Sequence, residues 1–190
     1  MKKTKTIIIG LITAVVLVSC GGSSNSEPAD TTTAVSAEFN DDDVMFAQMM
    51  IPHHEQAVEM SDIALDPTVM AGDAVKKLAT QIKAAQDPEI QTMTQLLSTW
   101  KKSLPMDDSM DHGDMMSGML SPDDLAQLST LRGPKFDQQW ILAMIAHHEG
   151  AIEMALAVLQ DGENSEVLRL ADAIIKGQEA EIDEMKALVK

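Results

Sequence analysis

The feature that most constrains this chain is a helical pattern written twice. Residues 46–60 read FAQMMIPHHEQAVEM and residues 140–154 read WILAMIAHHEGAIEM, which sets Met50, His53, His54, Glu55, Glu59 and Met60 over Met144, His147, His148, Glu149, Glu153 and Met154. Further on, Gln86, Glu89-Ile90 and Met93 recur as Gln178, Glu181-Ile182 and Met185. Each copy reads as a helical hairpin, with helices expected over 43–65 and 72–102 in the first and over 136–159 and 165–189 in the second. A single hairpin leaves its apolar stripe uncovered, whereas two can cover each other as an antiparallel four-helix bundle. The expected fold is therefore all-α, with hairpin one at 39–102, a connection at 103–135 and hairpin two at 136–190.

Composition agrees with that reading. Aromatic residues make up 3% and tyrosine is absent, which disfavours a strand-rich barrel or sandwich. The formal net charge of −16 excludes a generic nucleic-acid binder, which needs a basic footprint.

The first 20 residues stand apart from the bundle. Lys2, Lys3 and Lys5 precede a short apolar run from Ile7 to Val18, and Leu17-Val18-Ser19-Cys20 closes it. This is a secretory signal, too short to span a bilayer, and its ending resembles a bacterial lipobox with Cys20 as the lipidated residue. Without Lys2, Lys3 and Lys5 the chain holds 11 basic and 30 acidic residues, a charge of −19. Such a surface repels anionic headgroups and attracts cations, so the lipid would be the membrane anchor, on the periplasmic or cell-surface side. With Cys20 acylated, no thiol is left for a disulfide or a zinc site. Residues 21–38, rich in Gly, Ser, Thr and Pro, read as a flexible tether.

Two sets of candidate metal ligands follow. The connection between hairpins begins MDDSMDHGDMMSGM, with Met106, Met110, Met115, Met116 and Met119 around His112. Glycine and aspartate between the methionines disfavour a packed helix, and thioethers with one imidazole suit a soft cation such as Cu(I) or Ag(I). This set is expected to bind with little dependence on the fold and to hold its ligand in acid, because a thioether carries no proton. The rest of the connection reads as a short helix: Ser121 caps it, Pro122 opens it, Asp124 sits at the capping-box position and Gly133-Pro134 ends it.

The second set lies on the repeat. Met50 stands three and four residues before His53 and His54, so a thioether and an imidazole share a helix face, as do Met144 with His147 and His148. Adjacent histidines point about 100° apart, so one of each pair is expected inward and one toward the rim. The bland alternative is four core histidines hydrogen-bonded to Glu55, Glu59, Glu149 and Glu153. Gln86, Glu89, Gln178 and Glu181 on the partner helices would either orient the histidines or simply bond within the bundle. Met60, Met93, Met154 and Met185 read as core. Unperturbed imidazoles would lose this metal as pH falls through about 6.5. Pro52 and Pro88, both in the first hairpin, face Ala146 and Ala180 in the second and could open a path to the histidines.

At MMIPHHEQAVEM and MIAHHEGAIEM, each followed by Q-x-x-E-I-x-x-M, the chain resembles the bacterial family known as domain of unknown function 305, over about residues 39–190. The resemblance implies a ferritin-like four-helix bundle, usually secreted or membrane-anchored, with copper-binding members. It implies Met50, His53, His54, Met144, His147 and His148 as the metal-facing set. Leu188 departs from the family, where a tryptophan often stands. The methionine segment also resembles those of copper-resistance proteins. The function expected is thus an extracytoplasmic, lipid-anchored binder of Cu(I) or Ag(I), with no organic cofactor, serving copper buffering, tolerance or trafficking and handing metal to a copper-handling protein. Two alternatives stand beside it: a metal-free lipoprotein that binds a protein partner, and a ferritin-like metalloenzyme. The enzyme reading is weakened because no Glu-x-x-His occurs in the chain.

Overall fold

A computed structural model of the chain describes residues 38–104 and 116–189. Cys20, Met106, Met110, His112 and Met115 lie outside the described residues, as do the signal, all but the last residue of the tether, and Lys190. The described residues form five helices: α1 (Asp41–Leu65), α2 (Asp73–Thr99), α3 (Pro122–Thr130), α4 (Gly133–Asp161) and α5 (Ser165–Leu188).

The four long helices are the expected hairpins, with ends shifted by local chemistry. Helix α1 starts two residues early because Asn40 and Asp43 form a reciprocal capping box. Helix α2 stops at Thr99 rather than continuing to 102. Lys101 adopts φ +56°, and Lys102 N–H donates to the Leu97 carbonyl at 2.9 Å, a Schellman-type ending without the usual glycine. The clearest correction is at Gly133-Pro134. The short helix already ends at Thr130, with Leu131 as its extended cap, and this dipeptide opens α4, where proline's missing N–H costs nothing. Both α1 and α2 run through their interior prolines, Pro52 and Pro88.

Helix α1 packs on α2, α4 on α5, and α1 on α4, with α3 lying against α4. The core falls into two apolar clusters. One joins the C-terminal half of α1 and N-terminal half of α2 to the N-terminal half of α4 and C-terminal half of α5, and contains Met60, Leu78, Ile82, Phe136, Trp140, Met144 and Met185. The other joins the opposite halves around Met50, Met93, Leu97, Trp100, Val158, Val167 and Ile174. That division makes α1 and α4 antiparallel, as an approximate two-fold repeat requires. Trp140 is fully buried and its indole N–H donates to the Met60 carbonyl at 2.9 Å; Trp100 is buried and stacks on Phe39 with centroids 4.5 Å apart. Helix α4 is long and apolar enough to cross a bilayer by length and composition, but its buried side forms a wall of this core.

Each hairpin also clamps the turn of the other. Asp43 of α1 is fully buried, and its carboxylate accepts N–H bonds from Glu163 and Asn164 in the α4–α5 turn, at 3.2 and 3.0 Å. Its repeat equivalent, Asp137 of α4, accepts the Gly72 N–H of the α1–α2 turn at 3.0 Å. This second role of Asp43 is not legible in the sequence, because it depends on which turn lies opposite.

Candidate metal centre

Between the two apolar clusters lies a polar layer, and it is built from the repeat. In α1 it occupies the gap between Ile51 and Ala57, in α2 between Ile82 and Met93, in α4 between Ile145 and Ala151, and in α5 between Ile174 and Ile182. His53, His54, His147 and His148 fill the α1 and α4 gaps, and Gln86, Glu89, Gln178 and Glu181 fill the α2 and α5 gaps. Met50 and Met144, both fully buried, belong to opposite apolar clusters, so one thioether bounds the layer on each side.

All four histidines are fully buried, contrary to the expected split between bundle and rim. Their difference is in partners. His53 and His147 meet at the approximate two-fold axis with ring centroids 3.8 Å apart and planes tilted by 39°. His54 Nε2 lies 2.9 Å from a Glu89 carboxylate oxygen, and His148 Nε2 lies 2.8 Å from the equivalent oxygen of Glu181. The glutamates named as alternative partners point elsewhere: Glu55, Glu59, Glu149 and Glu153 are exposed, and Glu149 pairs with Lys186. A helix face explains this, because positions two and six after His53 or His147 turn away from the residues that face the core.

The hydrogen bonds fix ring tautomers. A carboxylate or carbonyl oxygen can only accept, so in the neutral ring the nitrogen facing it carries the proton and the other nitrogen keeps a bare lone pair. His54 and His148 donate to Glu89 and Glu181, and His53 Nε2–H donates to the Ser117 carbonyl at 3.2 Å. The remaining nitrogen of each, Nδ1, is buried without a hydrogen-bond partner among the described residues; so are both nitrogens of His147 and the side-chain amides of Gln86 and Gln178. Burying that many unmet polar atoms is expensive for packing alone. Bare imidazole nitrogens between two thioethers form a donor set suited to a soft or borderline cation.

Burial also sets protonation. Removal from water pushes His53 down to about 3, helped by the neighbouring His54, and holds His147 well below the ordinary imidazole range, helped by His53. The rings therefore stay neutral far below pH 6.5, and the expectation of metal loss near that pH does not hold for His53 and His147. Among the described residues, no three histidine, cysteine or carboxylate side chains converge as a metal-ligand group.

The strap at 116–121 covers this layer. Met116 is buried and Met119 half-buried, so these two belong to the packed domain rather than to a segment independent of the fold. The strap is seated by an asymmetry between the copies. Gln56 of α1 brackets Leu120, accepting its N–H at 2.8 Å and donating to its carbonyl at 2.9 Å. The equivalent position in α4 is Gly150, where a Cβ would lie 1.8 Å from the Ser117 carbonyl oxygen. Gly118, at φ +84°, faces the Ala146 carbonyl in the same way, and a Cβ there would lie 2.1 Å from its oxygen. The Gln56/Gly150 mismatch was visible in the aligned repeats, but its meaning required the path of the strap.

The model of the family described as domain of unknown function, DUF305, matches residues 43–189. The chain belongs to this family. Solved DUF305 structures share its fold. A DUF305 fragment from Deinococcus radiodurans is 33% identical, with a TM-score of 0.71 over 78% of this chain and 95% of that one. A protein from Streptomyces coelicolor, provisionally described as secreted, is 32% identical with a TM-score of 0.68, over 77% of this chain and 89% of its own. CopM in its Cu(I)-bound form is 34% identical with a TM-score of 0.63, over 77% of this chain and 94% of its own. CopM has also been solved with Cu(II) and with silver. No curated protein sequence is significantly similar to the chain.

Proposed function

We propose that this DUF305 protein is a binder of soft metal ions, Cu(I) or Ag(I), and that it works outside the cytoplasm on a lipid anchor at Cys20. The observation that carries the reading is the central layer: bare, buried imidazole nitrogens with Met50 and Met144 on either side. The likeness to CopM, solved with copper and silver, supports the same metals. Copper is cargo in this reading, held for buffering, tolerance or transfer to a copper-handling protein, and the protein is not an enzyme. His53 and His147 would supply nitrogen, Met50 and Met144 thioether sulfur, while Glu89 and Glu181 fix the tautomers of His54 and His148. Met106, Met110, His112 and Met115, with Met116 and Met119 at the strap, would form a second, thioether-rich set that keeps its affinity in acid.

The test is anaerobic Cu(I) titration against a competing chelator. A His53→Gln/His147→Gln variant should lose about 10–100-fold in affinity at the tighter site, on the scale seen when a metal's surroundings are altered. Deleting residues 105–115, which spares the strap, should remove only the share attributable to that segment. Unchanged affinity in the double variant would mean that the histidines are structural. The anchor is checked separately: if Cys20→Ala is still processed and sediments with membranes, the lipid assignment fails.

A further inference from the structure

Two grooves flank the strap and are not alike: the first lies between the strap, α3 and α4, and the second between α1 and α4. The first has a volume of about 510 Å³ and is roofed by Leu128 and Leu131, in and just after α3, with Gln139 and Ala143 on its α4 wall. The second, about 330 Å³, has Met45 and Met49 at the equivalent positions of α1, faced by Met154 of α4. No element corresponding to α3 lines the second groove among the described residues. Met45 is 48% exposed, and Met49 and Met154 are half-buried. Met45 and Met49 are therefore not core filler, while Met154 packs against the second apolar cluster, as its sequence reading as core expects, and also lines the groove. Met45 and Met49 are four residues apart and share one helix face, and Met154 opposes them across the groove. Asp42, Glu153 and Asp161 line the same groove.

We propose that Met45, Met49 and Met154 form a soft-cation site on the surface of the bundle, separate from the histidine layer, for a monovalent d¹⁰ ion of the Cu(I) or Ag(I) class. Three thioethers are soft, neutral and proton-free, which selects such an ion over the harder divalent cations. The carboxylates supply no favoured direct ligand, but their negative charge raises the local cation concentration and offsets the single positive charge of the ion. The other groove is a control within the same molecule. Gln139 and Ala143 stand in place of Met45 and Met49 there, which leaves Met119 of the strap as the single thioether of that groove. The position beside Ser117, whose carbonyl accepts from His53, makes this site a surface station next to the central layer. It is independent of whether that layer binds metal.

Silver nitrate is the probe, because Ag(I) is stable in air and has no redox chemistry to confuse the readout. In protein labelled at methionine methyl groups, the Met45, Met49 and Met154 resonances should shift together and saturate at one Ag(I). They should do so equally in the His53→Gln/His147→Gln variant, whose central layer is disabled. A Met45→Leu/Met49→Leu/Met154→Leu variant, similar in volume, should lose one equivalent of Ag(I) while the histidine resonances still respond as in the parent. The proposal is overturned if the three methyl groups stay at their free positions, if they saturate in separate steps as independent surface thioethers, or if the leucine variant keeps full stoichiometry. Failure of the central layer shows separately, in histidine resonances that never move.

Discussion

A buried neutral histidine makes stability depend on pH even in the absence of metal. His53, at about 3 in the fold, and His147, also depressed, titrate near 6.5 once unfolded. Between those values the unfolded chain binds protons that the native protein refuses, so stability is full above about 6.5 and falls as pH drops toward 3. Each ring contributes up to about 1.4 kcal/mol of loss per pH unit in that window. Thermal melts of the metal-free protein should show the slope from pH 6.5 to 5, where carboxylates add little, and His53→Gln/His147→Gln should flatten it. An unchanged slope would place the responsible groups elsewhere. At this scale the spacing already set the paired histidines of both copies on corresponding helix positions, and the structure brings all four into one buried layer. The sequence could not identify which nitrogen is free, because Glu89, Glu181 and Ser117 reach the rings from 35, 33 and 64 residues away.

Among elements, the helices were readable to within a few residues, since apolar periodicity and capping chemistry are local. The strap was not, because its course is decided by one glycine on another helix. Gly150 and Gly177 let this be tested with one substitution made twice. Replacing a mid-helix glycine with alanine ordinarily gains about 1 kcal/mol from helix propensity. Gly177→Ala in α5 should do so, since a Cβ there meets nothing within 4 Å. Gly150→Ala should reverse the sign and cost about 1–3 kcal/mol, because the new methyl collides with the backbone of the strap at Ser117. Denaturant melts of the two variants measure the difference, and equal gains in both would mean that the strap does not sit on α4. If Gly150→Ala also exposes the histidine layer, metal exchange should become faster.

For the whole molecule, the aligned copies already implied the bundle, but not how strongly each hairpin relies on the other. Asp43 holds the second hairpin's turn and Asp137 holds the first's, and the polar layer draws equally on both. Each turn therefore takes part of its closing contacts from the other half. Viewed as an assembly, the molecule is a two-fold dimer whose subunits happen to be joined in one chain. The covalent link then contributes mainly effective concentration. Two separate polypeptides, one ending near 104 and one beginning near 116, should each be poorly helical alone. Mixed, they should recover the bundle's circular dichroism with a concentration-dependent midpoint. Asp43→Ala in the first or Asp137→Ala in the second should weaken that association. Metal binding at the centre would then report that two strangers had met.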